Sequence, residues 1–140
     1  MPEKGSEKFV LDSHALLAYL EDEPGREKVE ELLNLASKEE VELLLSVINL
    51  GEVLYITERE RGLSKAHEVL ARIEELPIAI IEVNRKLALE AAHYKALHPI
   101  AYADCFALAL ARLRGATLVT GDPEFEQIKP EYSPPIRWLR

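Results

Sequence analysis

The feature that most constrains this chain is the alternation of two apolar periods. Short runs with apolar residues at consecutive positions occur at 8–11, 41–46, 78–83 and 117–120. Between them, apolar residues recur every three or four positions, over about 13–21, 25–37, 47–60, 64–76, 84–97 and 101–114. The first pattern reads as strands and the second as helices. In the 64–76 stretch, Ala66, Val69, Leu70 and Ile73 share one face. A strand that is apolar on both faces must be covered on both. Strands alternating with helices therefore predict a parallel sheet between helical layers. Gly62 should stop the helix over 47–60, and Pro99 should split the last two long helices. A short helix should open at Pro123, and 136–139 reads as an edge strand.

The 140 residues read as one domain, 1–140. There is no internal repeat, low-complexity tract or Gly/Ser linker. An apolar fraction of 48% is enough for a real core, and 30% charged residues make the chain soluble. No apolar run approaches the roughly 20 residues of a membrane helix. The opening Met-Pro-Glu-Lys-Gly-Ser-Glu-Lys has no apolar segment, so no secretory signal is expected. The single cysteine, Cys105, excludes an internal disulfide and fits a reducing, cytoplasmic setting. Abundant Glu with scarce Gln, Asn, Cys and Met is a bias reported for thermophile proteins. The net charge of -8 argues against coating nucleic acid by bulk charge. It leaves room for a nucleic-acid enzyme, because acids gathered around metal ions are offset by those ions.

Of 25 acidic residues only four are Asp. Three of these occupy unusual places: Asp12 at the end of Phe9-Val10-Leu11, Asp122 just past Leu118-Val119-Thr120-Gly121, and Asp104 within an apolar helix. Asp holds a carboxylate close to the backbone, whereas Glu is the better helix former for solvated faces. Each acid has two readings. Asp12 precedes Ser13-His14-Ala15 and could be a helix N-cap or a ligand. Asp122, before Pro123, also has the form of a cap. Glu52 shares a helical face with Ile48, Tyr55 and Ile56, so it must be ion-paired, protonated or metal-bound. Asp104 is either an early-turn acid favoured by the helix dipole or a buried functional group. Ligands in open α/β sheets bind beyond the carboxyl ends of strands, where Asp12 and Asp122 should lie. Four carboxylates at one such edge would repel one another without divalent cations, and hard cations such as Mg2+ take oxygen ligands.

These segments resemble the PIN-domain family, and within it the VapC-type toxin ribonucleases. Phe9-Val-Leu-Asp12-Ser-His-Ala-Leu-Leu-Ala-Tyr-Leu20 resembles the opening strand, acid and helix. Ser46-Val-Ile-Asn-Leu-Gly-Glu52 is similar to the second acidic motif, and Ile100-Ala-Tyr-Ala-Asp104-Cys-Phe-Ala-Leu-Ala-Leu-Ala111 to the third. Leu118-Val-Thr-Gly-Asp122-Pro-Glu-Phe125 is similar to the fourth. The motifs appear in family order over nearly the whole chain.

The resemblance implies a three-layer PIN-like α/β fold around a five-stranded parallel sheet. It implies a Mg2+- or Mn2+-dependent endoribonuclease whose catalytic and metal-binding acids are Asp12, Glu52, Asp104 and Asp122. Thr120 and Ser13 would support them. Glu126 is a nearby acid that is not counted as a ligand. A metal-activated water would attack phosphorus, leaving 5′-phosphate and 3′-hydroxyl ends. The resemblance further implies a cognate antitoxin, an RNA substrate and a homodimer, with no membrane association. The amphipathic stretches 25–37 and 64–76 could face either the core or a second subunit. His14, His67, His93 and His98 are too scattered for a metal set, and Cys105 reads as a small core residue. Arg59, Arg61, Lys65, Arg112 and Arg114 could line an RNA path or simply be solvated.

The competing readings are a non-toxin RNA-processing nuclease and a catalytically silent RNA-binding PIN domain. A phosphoryl-transfer domain fits poorly, because Asp12-Ser13-His14 supplies neither Asp-x-Asp nor the adjacent acids of a receiver.

Overall fold

A computed structural model describes residues 6–140. Most of the N-terminal segment read above for a secretory signal lies outside the described residues. The chain runs β1 (Lys8–Leu11), α1 (Ser13–Leu20), α2 (Arg26–Ser37), β2 (Glu42–Ser46), α3 (Val47–Arg61), α4 (Leu63–Glu74) and β3 (Ala79–Ile81). It continues through α5 (Arg85–Leu97), α6 (Tyr102–Arg114), β4 (Thr117–Thr120), 3-10 turns at Pro123–Gln127 and Pro130–Tyr132, and β5 (Ile136–Trp138).

All strand pairs are parallel, in the order β3-β2-β1-β4-β5. The three-layer α/β arrangement is the expected one. Alternation along each strand builds the layers. Phe9, Leu11, Leu43, Leu45 and Val119 pack with α1–α4 residues such as Leu16, Leu32, Val53 and Ile73. Val10, Leu44 and Leu118 point the other way, onto Leu87 and Tyr94 of α5 and Phe106 and Leu108 of α6. Fully burying each large apolar side chain contributes roughly 1.5–3 kcal/mol.

Helix α6 is buried at every position from Asp104 to Ala111. Its alanines allow close contact with the sheet and α5, while α3 also packs against it. A helix enclosed on all sides is apolar all round, and Asp104 breaks that rule.

The ends of the elements follow local chemistry. Ser46 accepts the Ile48 N–H at 3.1 Å to start α3, and Asn84 accepts the Leu87 N–H at 2.8 Å to start α5. β3 is shorter than the 78–83 run: its partner β2 ends at Ser46, opposite Ile81, and the Ile78 N–H donates back to the Leu76 carbonyl at 2.8 Å. The apolar faces of α2 (Val29, Leu32, Leu33) and α4 (Ala66, Val69, Ile73) turn into the core. Gly25 has φ +96°, and a Cβ there would meet Leu139 Cβ at 2.8 Å. The α1–α2 connection and the segment after β5 are thereby held together.

The crossovers from β1 to β3 lie on one face and the crossover from β3 to β4 on the other. The topological switch point therefore falls between β1 and β4, whose carboxyl ends lead into Asp12 and Asp122.

Candidate active site

Asp12 is almost wholly enclosed at the end of β1. Its Oδ1 accepts the Ala15 N–H at 2.7 Å, capping α1, and its Oδ2 accepts the Thr120 hydroxyl at 2.5 Å. The Thr120 Oγ1 in turn accepts the Asp122 N–H at 3.0 Å. One hydroxyl thus joins the carboxyl ends of β1 and β4. Asp122 Oδ1 accepts the Glu124 N–H at 2.9 Å and caps the 3-10 turn. The cap reading therefore holds for both residues without displacing the other reading. A cap uses one lone pair, and an ionised carboxylate offers about four acceptor sites.

Asp104, buried at the third position of α6, meets Asp122 and Glu124. Carboxylate oxygens of these three residues all lie within 4.8 Å of one another. Glu124 was missed as a site residue in the sequence. The available signal was Asp122-Pro123-Glu124, where a capped 3-10 start swings the second residue after Asp122 back towards it. Glu126 instead pairs with Arg140.

Glu52 lies on α3, opposite α6, and its charge acts on Asp104. Its Oε1 is buried with no hydrogen-bond partner. The apolar stripe expected around it is not core. Ile48 and Tyr55 are exposed, and α3 buries Asn49, Val53 and Thr57 instead. Asn49 Nδ2 donates to the Ala103 carbonyl at 3.1 Å, setting α3 against the turn that carries Asp104. Asn49 Oδ1 is also buried without a partner.

Electrostatics follow from this crowding. Burial raises the Asp12 carboxyl to about 7, against the hydrogen bonds from Thr120 and Ala15, with further upward pressure from Asp104 and Asp122. Burial also raises Asp104 to about 7, and the charges of Glu52, Asp122 and Glu124 add to it. The acids are held together although their mutual repulsion opposes it.

The remaining candidates fall elsewhere. Ser13 is buried at the first position of α1. Arg112 and Arg114 close α6 at the end opposite Asp104, roughly 12–15 Å along the helix axis. Arg112 stands 3.9 Å from Glu90, and Arg61 pairs with Glu21 at 2.5 Å. Arg59 covers the Tyr55 ring at 5.0 Å. His98 is buried between the Tyr94 carbonyl and the Lys129 N–H, and His67 and His93 are surface residues. Cys105 is a buried core thiol, pushed up to about 11 chiefly by burial.

The PIN domain family model matches residues 9–130. Among solved structures, DNA-bound VapBC from Salmonella typhimurium superposes with a TM-score of 0.76 at 22% identity, covering 96% of this chain and 99% of that one. VapBC2 from Rickettsia felis, bound to a promoter DNA fragment, gives 0.74 at 18% identity, covering 93% and 97%. VapC20 from Mycobacterium tuberculosis, a sarcin–ricin loop cleaving toxin, gives 0.67 at 16% identity, covering 84% and 92%. At these identities the likeness is one of fold. No curated protein matches by sequence. The family model itself spans β1 to the turn after β4 and includes all four acid-bearing segments, so the chain belongs to the PIN domain family.

Proposed function

We propose that this chain, as a single domain over 1–140, is a Mg2+- or Mn2+-dependent endoribonuclease and the toxin of a VapBC-like toxin–antitoxin pair. Asp12, Glu52, Asp104 and Asp122 are its catalytic and metal-binding acids, joined by Glu124. One observation carries the reading. Asp104, Asp122 and Glu124 converge within 4.8 Å, while Glu52 leaves a buried oxygen without a partner on the helix facing Asp104. Asp104 is buried, Asp122 half-buried and Glu124 exposed, so the group opens towards solvent on the Glu124 side. A buried acceptor without a donor is costly, and a cation held by these oxygens would satisfy Glu52 Oε1 while offsetting the repulsion among the acids.

The donor set fits the ion. It is all carboxylate, with no His or Cys, which suits Mg2+ or Mn2+ better than Zn2+. A divalent cation bound there supplies a Lewis acid and an acidified water able to attack phosphorus.

The protein's own part is placement. Asp104, Asp122 and Glu124 present oxygens from two different segments, α6 and the turn after β4. Thr120 locks the Asp12 carboxylate and spaces it from Asp122 through one hydroxyl. Ser13 is a supporting residue beside Asp12. Uncompensated, the acids repel an RNA phosphate, so substrate binding and metal loading are linked. Cleavage leaves 5′-phosphate and 3′-hydroxyl ends.

Partners follow from the same reading. Solved structures of this fold include VapBC assemblies and a toxin–antitoxin complex from Klebsiella pneumoniae, which supports a cognate antitoxin here. A homodimer and a cytoplasmic location complete the proposal. Among the described residues no helix is long and apolar enough to cross a membrane.

The test is cleavage of labelled RNA by purified protein with Mg2+, Mn2+ or EDTA, beside Asp104→Asn. The expected result is metal-dependent cutting that the variant lacks. A wild-type protein that binds neither Mg2+ nor Mn2+ in calorimetry overturns the reading.

A further inference from the structure

The acid cluster has a neighbour on its β5 side that the chemistry above does not use. A cavity of about 250 Å³ is walled by His14, Glu23 and Arg140, over an apolar lining of Pro24 and Leu139. It touches the cluster through Gly121, which lies between Thr120 and Asp122 and also lines the cavity.

The His14 ring packs closely on Gly121. A Cβ on Gly121 would sit 2.6 Å from His14 Cε1 and 3.1 Å from Nδ1. With glycine at 121 the imidazole rests against the strand-end backbone beside Asp122, a place that a Cβ would make it leave. The residue remains exposed although its ring is packed on that side. Arg140 is positioned as well: its guanidinium lies 4.2 Å over the Trp138 ring and pairs with Glu126. The Gly25–Leu139 contact holds the segment that carries it.

The cavity is smaller than the roughly 300–1,000 Å³ typical of drug-sized ligand sites, so it suits one flat ring rather than a larger molecule. Its walls combine the His14 imidazole for stacking with the Glu23 carboxylate and the Arg140 guanidinium for edge contacts. Single-stranded RNA is read in this way, by unstacked bases on aromatic or Arg planes. A chain of net charge -8 gains little from phosphate attraction and has the more need of base contacts.

We infer that His14, Glu23 and Arg140 form a subsite for one unstacked base of the RNA strand, next to the bond that is cut, with His14 as the stacking face. This deepens the nuclease reading and rests on it. His14 acts in substrate binding and has no part in the chemical step.

The experiment uses the full chain and short single-stranded RNAs carrying 2-aminopurine at successive positions. Binding is followed by fluorescence quenching in Ca2+, which satisfies the carboxylate oxygens. Cleavage is followed separately in Mn2+. One position should be quenched on wild-type protein. His14→Ala should weaken that binding at least about fivefold, the lower end for loss of one base stack. It should raise KM in proportion and leave kcat within about twofold. His14→Phe should retain the quenching. The inference is overturned if His14→Ala binds and cuts like wild type, if it lowers kcat with KM unchanged, or if wild type quenches no position. His14-dependent quenching without any cleavage would keep the subsite and remove the nuclease reading. Absence of quenching at every position on wild-type protein, with metal-dependent cleavage intact, would do the reverse.

Discussion

Two parts of the acid cluster are built on opposite principles. Around Asp12, both carboxylate oxygens already have donors, the Ala15 N–H and the Thr120 hydroxyl. Around Asp104, the neighbours are other acids, and the facing Glu52 leaves Oε1 without a partner. Both carboxyls are raised to about 7 with burial as the first cause, so burial alone does not distinguish them. Hydrogen bonding does. Asp12 is an anchor whose geometry is set before anything binds, whereas Asp104 is surrounded by acids and Glu52 keeps a buried oxygen that a cation would satisfy.

The sharpest break between the two regions is Asp104→Asn. It should lower single-turnover RNA cleavage by at least about a thousandfold, as expected if several kcal/mol of charge stabilisation is removed. The same variant should make the metal-free protein more stable at pH 8, because a buried charge among like charges is gone. A melting temperature that falls instead would make Asp104 a structural residue.

Thr120→Val addresses the anchor. Losing a residue that orients a ligand typically costs 10–100-fold, so cleavage should drop by about that factor. Thr120→Ser should restore most of it. An unimpaired valine variant would mean that Asp12 needs no orienting partner.

Glu124→Gln and Glu126→Gln form a smaller, paired test. The first should weaken Mn2+ binding by about tenfold in calorimetry, in line with the loss of one oxygen ligand. The second should leave it unchanged, since Glu126 faces Arg140. Equal effects would dissolve the distinction between the two turn acids.

The pH dependence of stability gives the smallest effect. The folded-state values of Asp12 and Asp104 lie above the ordinary 3.8. Between about pH 4 and pH 7 the folded metal-free protein therefore holds more protons than the unfolded chain, and its stability falls as pH rises through that window. A thermal shift series in EDTA should show the melting temperature dropping by several degrees from pH 5 to pH 8. Saturating Mg2+ should recover it at pH 8, by binding the folded state.

Much of the scaffold was legible in the chain. Val10 and Leu11, Leu44 and Leu45, and Leu118 and Val119 are apolar on consecutive residues, and only a sheet covered on both faces buries them all. Asp12 and Asp122 could be placed because strand ends are marked by local pattern. Other features were illegible for stated reasons. Helical periodicity put Glu52 on the Ile48–Tyr55 stripe, but the buried face of α3 is Asn49-Val53-Thr57, because those residues meet the neighbouring elements. Glu124 escaped notice because a 3-10 turn, with its tighter winding, brings it back towards Asp122 and Asp104. The sequence could not give the partners of the cations of α3 and α6: Arg61 pairs with Glu21, Arg59 covers the Tyr55 ring and Arg112 stands by Glu90.

By itself the sequence determined what local physics determines: which segments are strands or helices, where they cap and break, and that Asp is used sparingly, at two strand ends and within one apolar helix among its four places. The tertiary structure decided what depends on distance across the chain. It set Thr120 against Asp12, 108 positions away in sequence. It set Asn49 against Ala103, and through them Glu52 opposite Asp104. It also rested His14 on Gly121. The physical reason is that capping and periodicity act over a few residues, whereas the field at a buried carboxylate is the sum over every segment packed around it.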